Sequence, residues 1–432
     1  MKKAIICADG MFREFVPLSL EKPKALWPVR GEKPVERLIR QAKESGITDI
    51  TVVVGYKKEM FGYLEDAFGV SVSENKDFRN VSGREALKVD TANSVITSAG
   101  MYYESNPFLS EDADVYDTGV KLAVFDELRK FDASYVTRSG SDIIRNIKLV
   151  FHCDEEDISD FCYLDRRQTN ASFTFKIAGV KYIYRYPAEG IEESVNWKNE
   201  KSSMVIAKKL GIDTTYIYAD IHEGWKIMEF IGPHGKPDYN SFEDSKKIIG
   251  VLKALHSAPV RTDYGMKPWE ESESMIETIN GIDPKVSSSL AELRDKVYKL
   301  YEKTLDDGVE KCFCHGDVYR PNWMMMPDGS VILIDWEYAG YSDPGIDVGY
   351  YIVDAEYDMD EAKRFIREYL GDDYTDKKLF HFLVYSALIA YYWYVWTRLR
   401  RALGEPREDI EFGYGKTAKK YINELSEYYG IK

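Results

Sequence analysis

Cysteine is scarce in this chain. Five residues, Cys7, Cys153, Cys162, Cys312 and Cys314, are spread over 432 positions, too few and too scattered for a disulfide framework, so a reducing, cytoplasmic compartment is expected. Positive charge is also short: 58 Lys and Arg against 73 Asp and Glu leave a net charge of −15. Such a balance argues against a nucleic-acid or anionic-lipid partner and favours attraction of a cation. No internal repeat and no low-complexity tract is visible, and the opening MKKAIICADG has too short an apolar run for a signal peptide. One long apolar run stands out, LFHFLVYSALIAYYWYVW from Leu379 to Trp396, 18 residues in length. A spanning helix wants about 20 apolar residues, and this run carries His381, Ser386 and six aromatic rings with polar edges. It reads as a buried core helix, with no membrane insertion. Aromatic residues, by contrast, are plentiful, with 32 Tyr, 19 Phe and 8 Trp. The length suggests two or three domains.

The first hundred residues alternate strand and helix. AIIC (4–7), DITVVVGY (49–56) and VSVSEN read as strands, Pro34 to Ser45 and KEMFGYLEDAF (58–68) as helices. This β-α-β-α-β order predicts a parallel sheet covered by helices, an α/β Rossmann-like domain over 1–120. An acidic, loop-like stretch follows around Asn106–Asp117, and then a helical connector over 121–160 containing FDELRKFD and SDIIRNIKLVFHC. Near Phe161 the texture changes. SFTFKIAG (172–179) and VKYIYRYP (180–187) form an antiparallel hairpin, followed by a helix bearing Glu200 and the strands TYIYAD and GWKIMEFI. From residue 233 to the end the chain is mostly helical. An α+β pair of lobes is therefore expected, a small one over 161–232 and a large one over 233–432.

The densest chemical signal is CFCHGDVYRPNWMMMPDGSVILIDWEYAG, residues 312–340. His315, Asp317 and Asn322 lie in a loop, a hairpin turns at Pro327-Asp328-Gly329, and the strand VILID delivers Asp335. Two carboxylates and an amide converging from a loop and a strand end suit phosphoryl transfer from a magnesium nucleotide. One Asp orients and deprotonates a hydroxyl, while Asn and the second Asp offer hard oxygen ligands. An isolated His-Gly-Asp would more simply be a turn with local caps. The Asn five residues after Asp317, and Ile-Asp-Trp-Glu-Tyr beyond it, favour the functional reading.

These residues resemble the catalytic loop and metal motif of choline kinases, ethanolamine kinases and aminoglycoside phosphotransferases, which share a two-lobed protein-kinase-like fold. Glu337-Tyr338-Ala339-Gly340 and Asp347-Val348-Gly349 continue the likeness toward bacterial choline kinases. The resemblance runs from about Phe161 to the C-terminus. It implies ATP and Mg²⁺ as cofactors, Asp317 as catalytic base, Asn322 and Asp335 as metal ligands, and His315 as a structural prop of the loop. It further implies Arg185 on the nucleotide phosphates, paired with Glu200. Thr169-Asn170 with Ser172 and Phe173 would form the phosphate-covering turn, and the hinge Met228-Glu229-Phe230-Ile231 would read adenine. The turn departs from the family in having Arg166-Arg167-Gln168 where a Gly is usual.

A quaternary ammonium donates no hydrogen bond, so a site selects it with aromatic faces and a carboxylate, each ring contributing about 0.5–2 kcal/mol. Trp393 and Trp396 are three apart and share a helical face. A W-x-x-W on an apolar helix is by itself more often core. Beside the catalytic loop it resembles the aromatic wall of choline kinases, with Tyr338 and Asp354 as further substrate contacts. The expected acceptor is choline or a similar small cationic alcohol. The alternatives are an aminoglycoside or ethanolamine phosphotransferase, and a non-catalytic kinase-like scaffold.

The N-terminal ADGMFREFVPLSLEKPKALWPV (8–29) resembles the signature loop of sugar-nucleotide and phosphocholine nucleotidyltransferases, whose Gly-rich backbone cradles a triphosphate. Here Asp9 stands for an Ala, Phe12 for the second Gly and Glu14 for the Arg, while Pro23-Lys24 and Leu26 are kept. Gly100-Met101 occupy the place of the metal-binding Asp, and the domain is about half the usual length. The resemblance implies a truncated, catalytically inactive nucleotidyltransferase relic, of the kind fused to choline kinases. Its role would be structural or in self-association, with a homodimer one possibility. Two weaker motifs are set aside: Gly413-Tyr414-Gly415-Lys416-Thr417, which lacks the first Gly of a phosphate loop and the preceding strand, and Cys312-Phe313-Cys314, read as core cysteines.

Overall fold

A computed structural model describes residues 3–86, 94–103, 105–109, 140–164, 171–187, 196–232, 234–404 and 406–431. Asn170, expected in the phosphate-covering turn, and the segment FDELRKFD fall outside them. The chain divides into two compact units, 1–188 with 225–230, and 189–224 with 231–432.

In the first unit, β1 (Lys3–Cys7), β2 (Asp49–Val54), β3 (Ser71–Glu74) and β4 (Ser94–Ser98) form a parallel sheet in the order β3-β2-β1-β4. Alternation sends Ala4, Ile6, Val52 and Val54 to one face, where they pack with Val35, Leu38, Ile39, Ala42 and Leu64. Ile5, Cys7, Val53 and Ile96 form a smaller cluster on the other. The helix Pro34–Glu44 starts on a proline, whose fixed φ suits the first turn. The expected helix over 58–68 is instead a 3₁₀ turn, Lys58–Phe61, and a short helix, Tyr63–Phe68, separated by Gly62. Lys57 at φ 48° sets the entry into the turn.

The same unit holds β5 (Ile158–Leu164), β6 (Ala171–Ile177), β7 (Val180–Tyr186) and the strand Lys226–Glu229, paired antiparallel in that order. Phe173, Tyr184 and Ile227 lie opposite one another across three strands and are wholly buried. One residue earlier or later along each strand, Ser172, Arg185 and Lys226 form a polar row on the reverse face. The helix Asp142–Phe151 links the two sheets. Ser141 caps it by accepting the Ile144 N–H at 3.1 Å and donates to Glu21 at 2.6 Å, while Phe151 packs 4.6 Å from Tyr182.

The second unit is largely helical. Its central helix, Asp376–Ala402, contains the long apolar run. By length and composition it is the one candidate membrane span among the described residues, but 83% of its apolar window is buried inside the protein. The helix Gly345–Asp354 packs closely against it: a Cβ on Gly349 would lie 2.8 Å from the Ser386 nitrogen. Two short antiparallel pairs, Cys312–Cys314 with Gly340–Ser342 and Trp323–Met325 with Val331–Leu333, frame the loop that carries His315, Asp317 and Asn322.

Candidate active site

One buried carboxylate wires that loop from behind. Asp347 accepts the His315 N–H at 2.8 Å through Oδ2 and the Gly316 N–H at 2.7 Å through Oδ1, and Oδ2 also lies 3.0 Å from His256 Nε2. Burial pushes its carboxyl up, but the His256 hydrogen bond and the His315 N–H outweigh that and hold it below the usual range. Gly316 has φ +84°, and a Cβ there would stand 2.8 Å from the Tyr338 carbonyl oxygen, so the turn requires glycine.

His315 is wholly buried, and burial lowers its pKa, leaving a neutral ring. Its Nε2 lies 3.1 Å from the Ile334 carbonyl, so Nε2 carries the proton. Nδ1 is then the acceptor for the Asp317 N–H at 3.1 Å. The ring thus braces the loop from within, and its side chain bonds to backbone alone.

Asn322 clamps Asp317, its Nδ2 donating to the carbonyl oxygen at 2.8 Å and to Oδ2 at 2.9 Å. Burial drives the Asp317 carboxyl well above the usual carboxylate range, and the charges of Asp335 and Glu337 add to that rise. Hydrogen bonds from Tyr350 and Asn322 oppose it. Asp335 holds a left-handed backbone at φ +75°, a conformation costly for a residue with a Cβ.

Carboxylate oxygens of Asp335, Glu337 and Glu200 all lie within 4.8 Å of one another. Glu200 comes from the helix Trp197–Lys209, which Asn196 caps by accepting the Asn199 N–H at 3.0 Å. Asn199 Nδ2 in turn donates to the Ala339 carbonyl at 2.6 Å, tying that helix to the Asp335–Glu337 segment. Three carboxylates this close present a cluster of oxygen ligands. Their hard oxygens, with the Asn322 amide oxygen left over from its clamp, fit Mg²⁺.

Aromatic rings lie beside the loop. Trp393 is 6.0 Å from Tyr338, 5.3 Å from Tyr350, 5.7 Å from Trp396 and 6.2 Å from Tyr414 between ring centroids. Its indole Nε1 is buried with no hydrogen-bond partner among the described residues. Burial and the charges of Glu337, Asp317 and Asp335 push the Tyr338 hydroxyl well above its usual pKa. Asp354 ends the helix Gly345–Asp354, and its Oδ2 accepts both the Tyr239 hydroxyl and, at 2.6 Å, the Arg320 N–H. That carboxylate therefore also anchors the catalytic loop.

Of the residues expected on nucleotide, Ser172 and Arg185 share the polar face of the antiparallel strands with Lys226, which the sequence did not single out. Glu229 pairs with Tyr182 at the end of its strand, and Ile231 follows it. Glu337 was legible only as part of a motif. Its position in the Ile-Asp-Trp-Glu-Tyr run, two residues after Asp335, was the available signal. Tyr350 and Tyr414 come from separate helices and carried no local signal.

In the N-terminal loop, Phe12 keeps a left-handed backbone at φ 46°, the conformation that a glycine there would take freely. Its ring covers two glycines: a Cβ on Gly100 would lie 2.1 Å from Phe12 Cζ, and one on Gly10 would lie 2.7 Å from Cε2. Lys24 Nζ sits 5.0 Å from the same ring, Asn75 Nδ2 donates to Asp9 at 2.7 Å, and Glu14 is exposed.

Residues 179–380 match the model of the phosphotransferase enzyme family. The chain aligns with a crystal structure of the choline kinase LicA from Streptococcus pneumoniae at 24% identity and a TM-score of 0.55, covering 66% of this chain and 100% of that one. A structure of LicA in complex with AMP aligns at 25% identity with the same TM-score and coverage. The N-terminal part is 37% identical over 112 residues to the choline-phosphate cytidylyltransferase of the same organism, 25% of this chain and 49% of that protein. The chain thus spans about half the length of that relative. The expected architecture holds: a nucleotidyltransferase-like parallel sheet precedes a kinase-like α+β fold. The kinase-like part is similar to the phosphotransferase enzyme family over residues 179–380 and shares the fold of the choline kinase LicA.

Proposed function

We propose that this protein is an ATP- and Mg²⁺-dependent kinase of choline or a similar small amino alcohol, acting in the cytoplasm, with an inactive nucleotidyltransferase-like domain at its N-terminus. The observation that carries this reading is the placement of Asp317. It is clamped by Asn322, lies within the field of Asp335 and Glu337, and is bordered by the rings of Tyr338, Tyr350 and Trp393.

Asp317 receives the proton of the acceptor hydroxyl, since its raised proton affinity suits a general base better than a fully solvated carboxylate would. Asn322 fixes the carboxylate's rotation, while His315 and Asp347 hold the backbone beneath it. Asp335, Glu337 and Asn322 would hold magnesium, which supplies charge neutralisation on the transferring phosphate. Arg185, with Ser172, Lys226 and Glu200, is assigned to the nucleotide phosphates and their positioning, and the backbone of Glu229 and Ile231 to adenine. Tyr338, Trp393 and Trp396 present π faces to the ammonium, and Asp354 adds negative potential. The LicA–AMP complex supports nucleotide use by this fold.

The inactive reading of the N-terminal domain is supported by the Phe12 ring, which lies over Gly10 and leaves no room for a side chain at position 100. The test is ADP release with choline, ethanolamine and kanamycin as acceptors. Choline is expected to give the highest kcat/KM. A clear preference for kanamycin would move the protein to the aminoglycoside phosphotransferases, and no acceptor-stimulated release would make it a scaffold.

A further inference from the structure

Behind the catalytic loop, outside the nucleotide and acceptor sites, two thiols and an imidazole converge. Cys312 and Cys314 lie on one face of a three-residue strand with their sulfurs 3.6 Å apart, and a ring nitrogen of His256 comes within 4.8 Å of both. The sequence alone reads these cysteines as core, since it shows no partner pair for them; His256 lies 56 residues away at the end of the helix Phe242–His256. Cys314 is buried, but Cys312 is half-buried. With His256 and Tyr369 it lines an open cleft of about 580 Å³ that solvent can enter.

We propose that Cys312, Cys314 and His256 form a binding site for a thiophilic divalent cation of the zinc or cadmium type. Two sulfurs on a tetrahedral zinc, each bonded at about 2.3 Å, stand about 3.8 Å apart. The observed 3.6 Å is close to that separation and far from the roughly 2.05 Å of a disulfide. Thiolate and imidazole are the donors that select such ions, whereas the oxygen cluster at Asp335 selects Mg²⁺. Binding converts both thiols to thiolates, releases two protons to solvent and forms two metal–sulfur bonds. His256 contributes the Nδ1 lone pair, replacing the 2.7 Å hydrogen bond it now makes with the Tyr369 hydroxyl. Water from the cleft completes the fourth position. Nε2 keeps its contact with Asp347, the carboxylate that holds the backbone of His315 and Gly316. A hydrogen-bonded imidazole of this kind is how proteins orient metal-ligating histidines.

The test is a Cd²⁺ titration of the full-length protein in a non-chelating phosphine reductant, following the ultraviolet thiolate-to-cadmium charge-transfer band. Parallel titrations use Cys312→Ser, His256→Ala and Cys162→Ser, and circular dichroism confirms that each is folded. Cys312→Ser lies outside the catalytic machinery and is expected to keep phosphotransferase activity. One equivalent of Cd²⁺ should bind to wild type and to Cys162→Ser. Cys312→Ser should lose the band, and His256→Ala should bind at least tenfold more weakly. An undiminished band in folded Cys312→Ser, a band lost in Cys162→Ser, or unchanged affinity in His256→Ala would overturn the assignment.

Discussion

Replacing Asp317 by Asn should separate function from stability in opposite directions. The carboxyl is buried and its pKa is raised, first by desolvation and then by Asp335 and Glu337. A carboxyl whose folded-state pKa exceeds its unfolded value costs stability once it ionises, and that cost grows as pH rises from the unfolded pKa, near 4, through the folded one. Asn has the shape of the protonated acid and carries no charge, so Asp317→Asn removes the cost. One pKa unit is worth about 1.4 kcal/mol, and a gain of about 1 kcal/mol raises the melting temperature of a domain of this size by about 2–4 °C. The variant should therefore melt higher than wild type at pH 7.5 in EDTA, where no metal ion is bound. The difference should vanish near pH 4. Turnover should fall by about 10²–10⁴, the usual value of general-base help. A variant that melts lower at pH 7.5, or one that keeps near wild-type turnover, would refute the reasoning.

Other changes test the remaining parts. Trp393→Ala and Trp396→Ala should raise the choline KM at least tenfold with little change in the ATP KM; equal rises in both, or thermal collapse of both variants, would make these rings core. Asp335→Ala should abolish metal-dependent nucleotide binding, and Glu337→Gln should raise the Mg²⁺ concentration for half-maximal activity several-fold; an unchanged Mg²⁺ requirement would remove Glu337 from the metal site. With CTP, phosphocholine and Mg²⁺ the protein should release no pyrophosphate above background, whereas release that is lost in Lys24→Ala would make the N-terminal domain an active transferase. Gly100→Asp should destabilise by about 1–3 kcal/mol, as overpacking does, and Phe12→Gly should relieve most of that loss in the double variant; additive effects would show that the ring does not bar position 100.

What the sequence revealed were features written locally. Alternation placed β1, β2 and the hairpin of β6 and β7, and the spacing of His315, Asp317, Asn322 and Asp335 marked the loop. The long apolar run was recognisable as core because its aromatic and polar residues did not suit lipid. Features built from distant positions were not readable. Asp347 reaches back 31 residues to Gly316, and Glu200 meets Asp335 only because Asn199 hydrogen-bonds Ala339. Tyr414 joins Trp393 from a different helix. Phe12 and Gly100 were each visible as departures from a motif, but that one ring forbids a side chain at the other position emerges only from their packing. Helical continuity across Gly62 failed for a different reason: the apolar period was right and Gly62 keeps helical angles, but the first turn, Lys58–Phe61, is wound as a 3₁₀ helix.

The measurement closest to the central claim is direct detection of phosphocholine, by phosphorus NMR or mass spectrometry, after incubating the full-length protein with ATP, Mg²⁺ and choline. The account predicts phosphocholine in a one-to-one ratio with ADP, dependent on Mg²⁺ and lost with Asp317→Asn. ADP formed without phosphocholine, or at the same rate with and without choline, would contradict it.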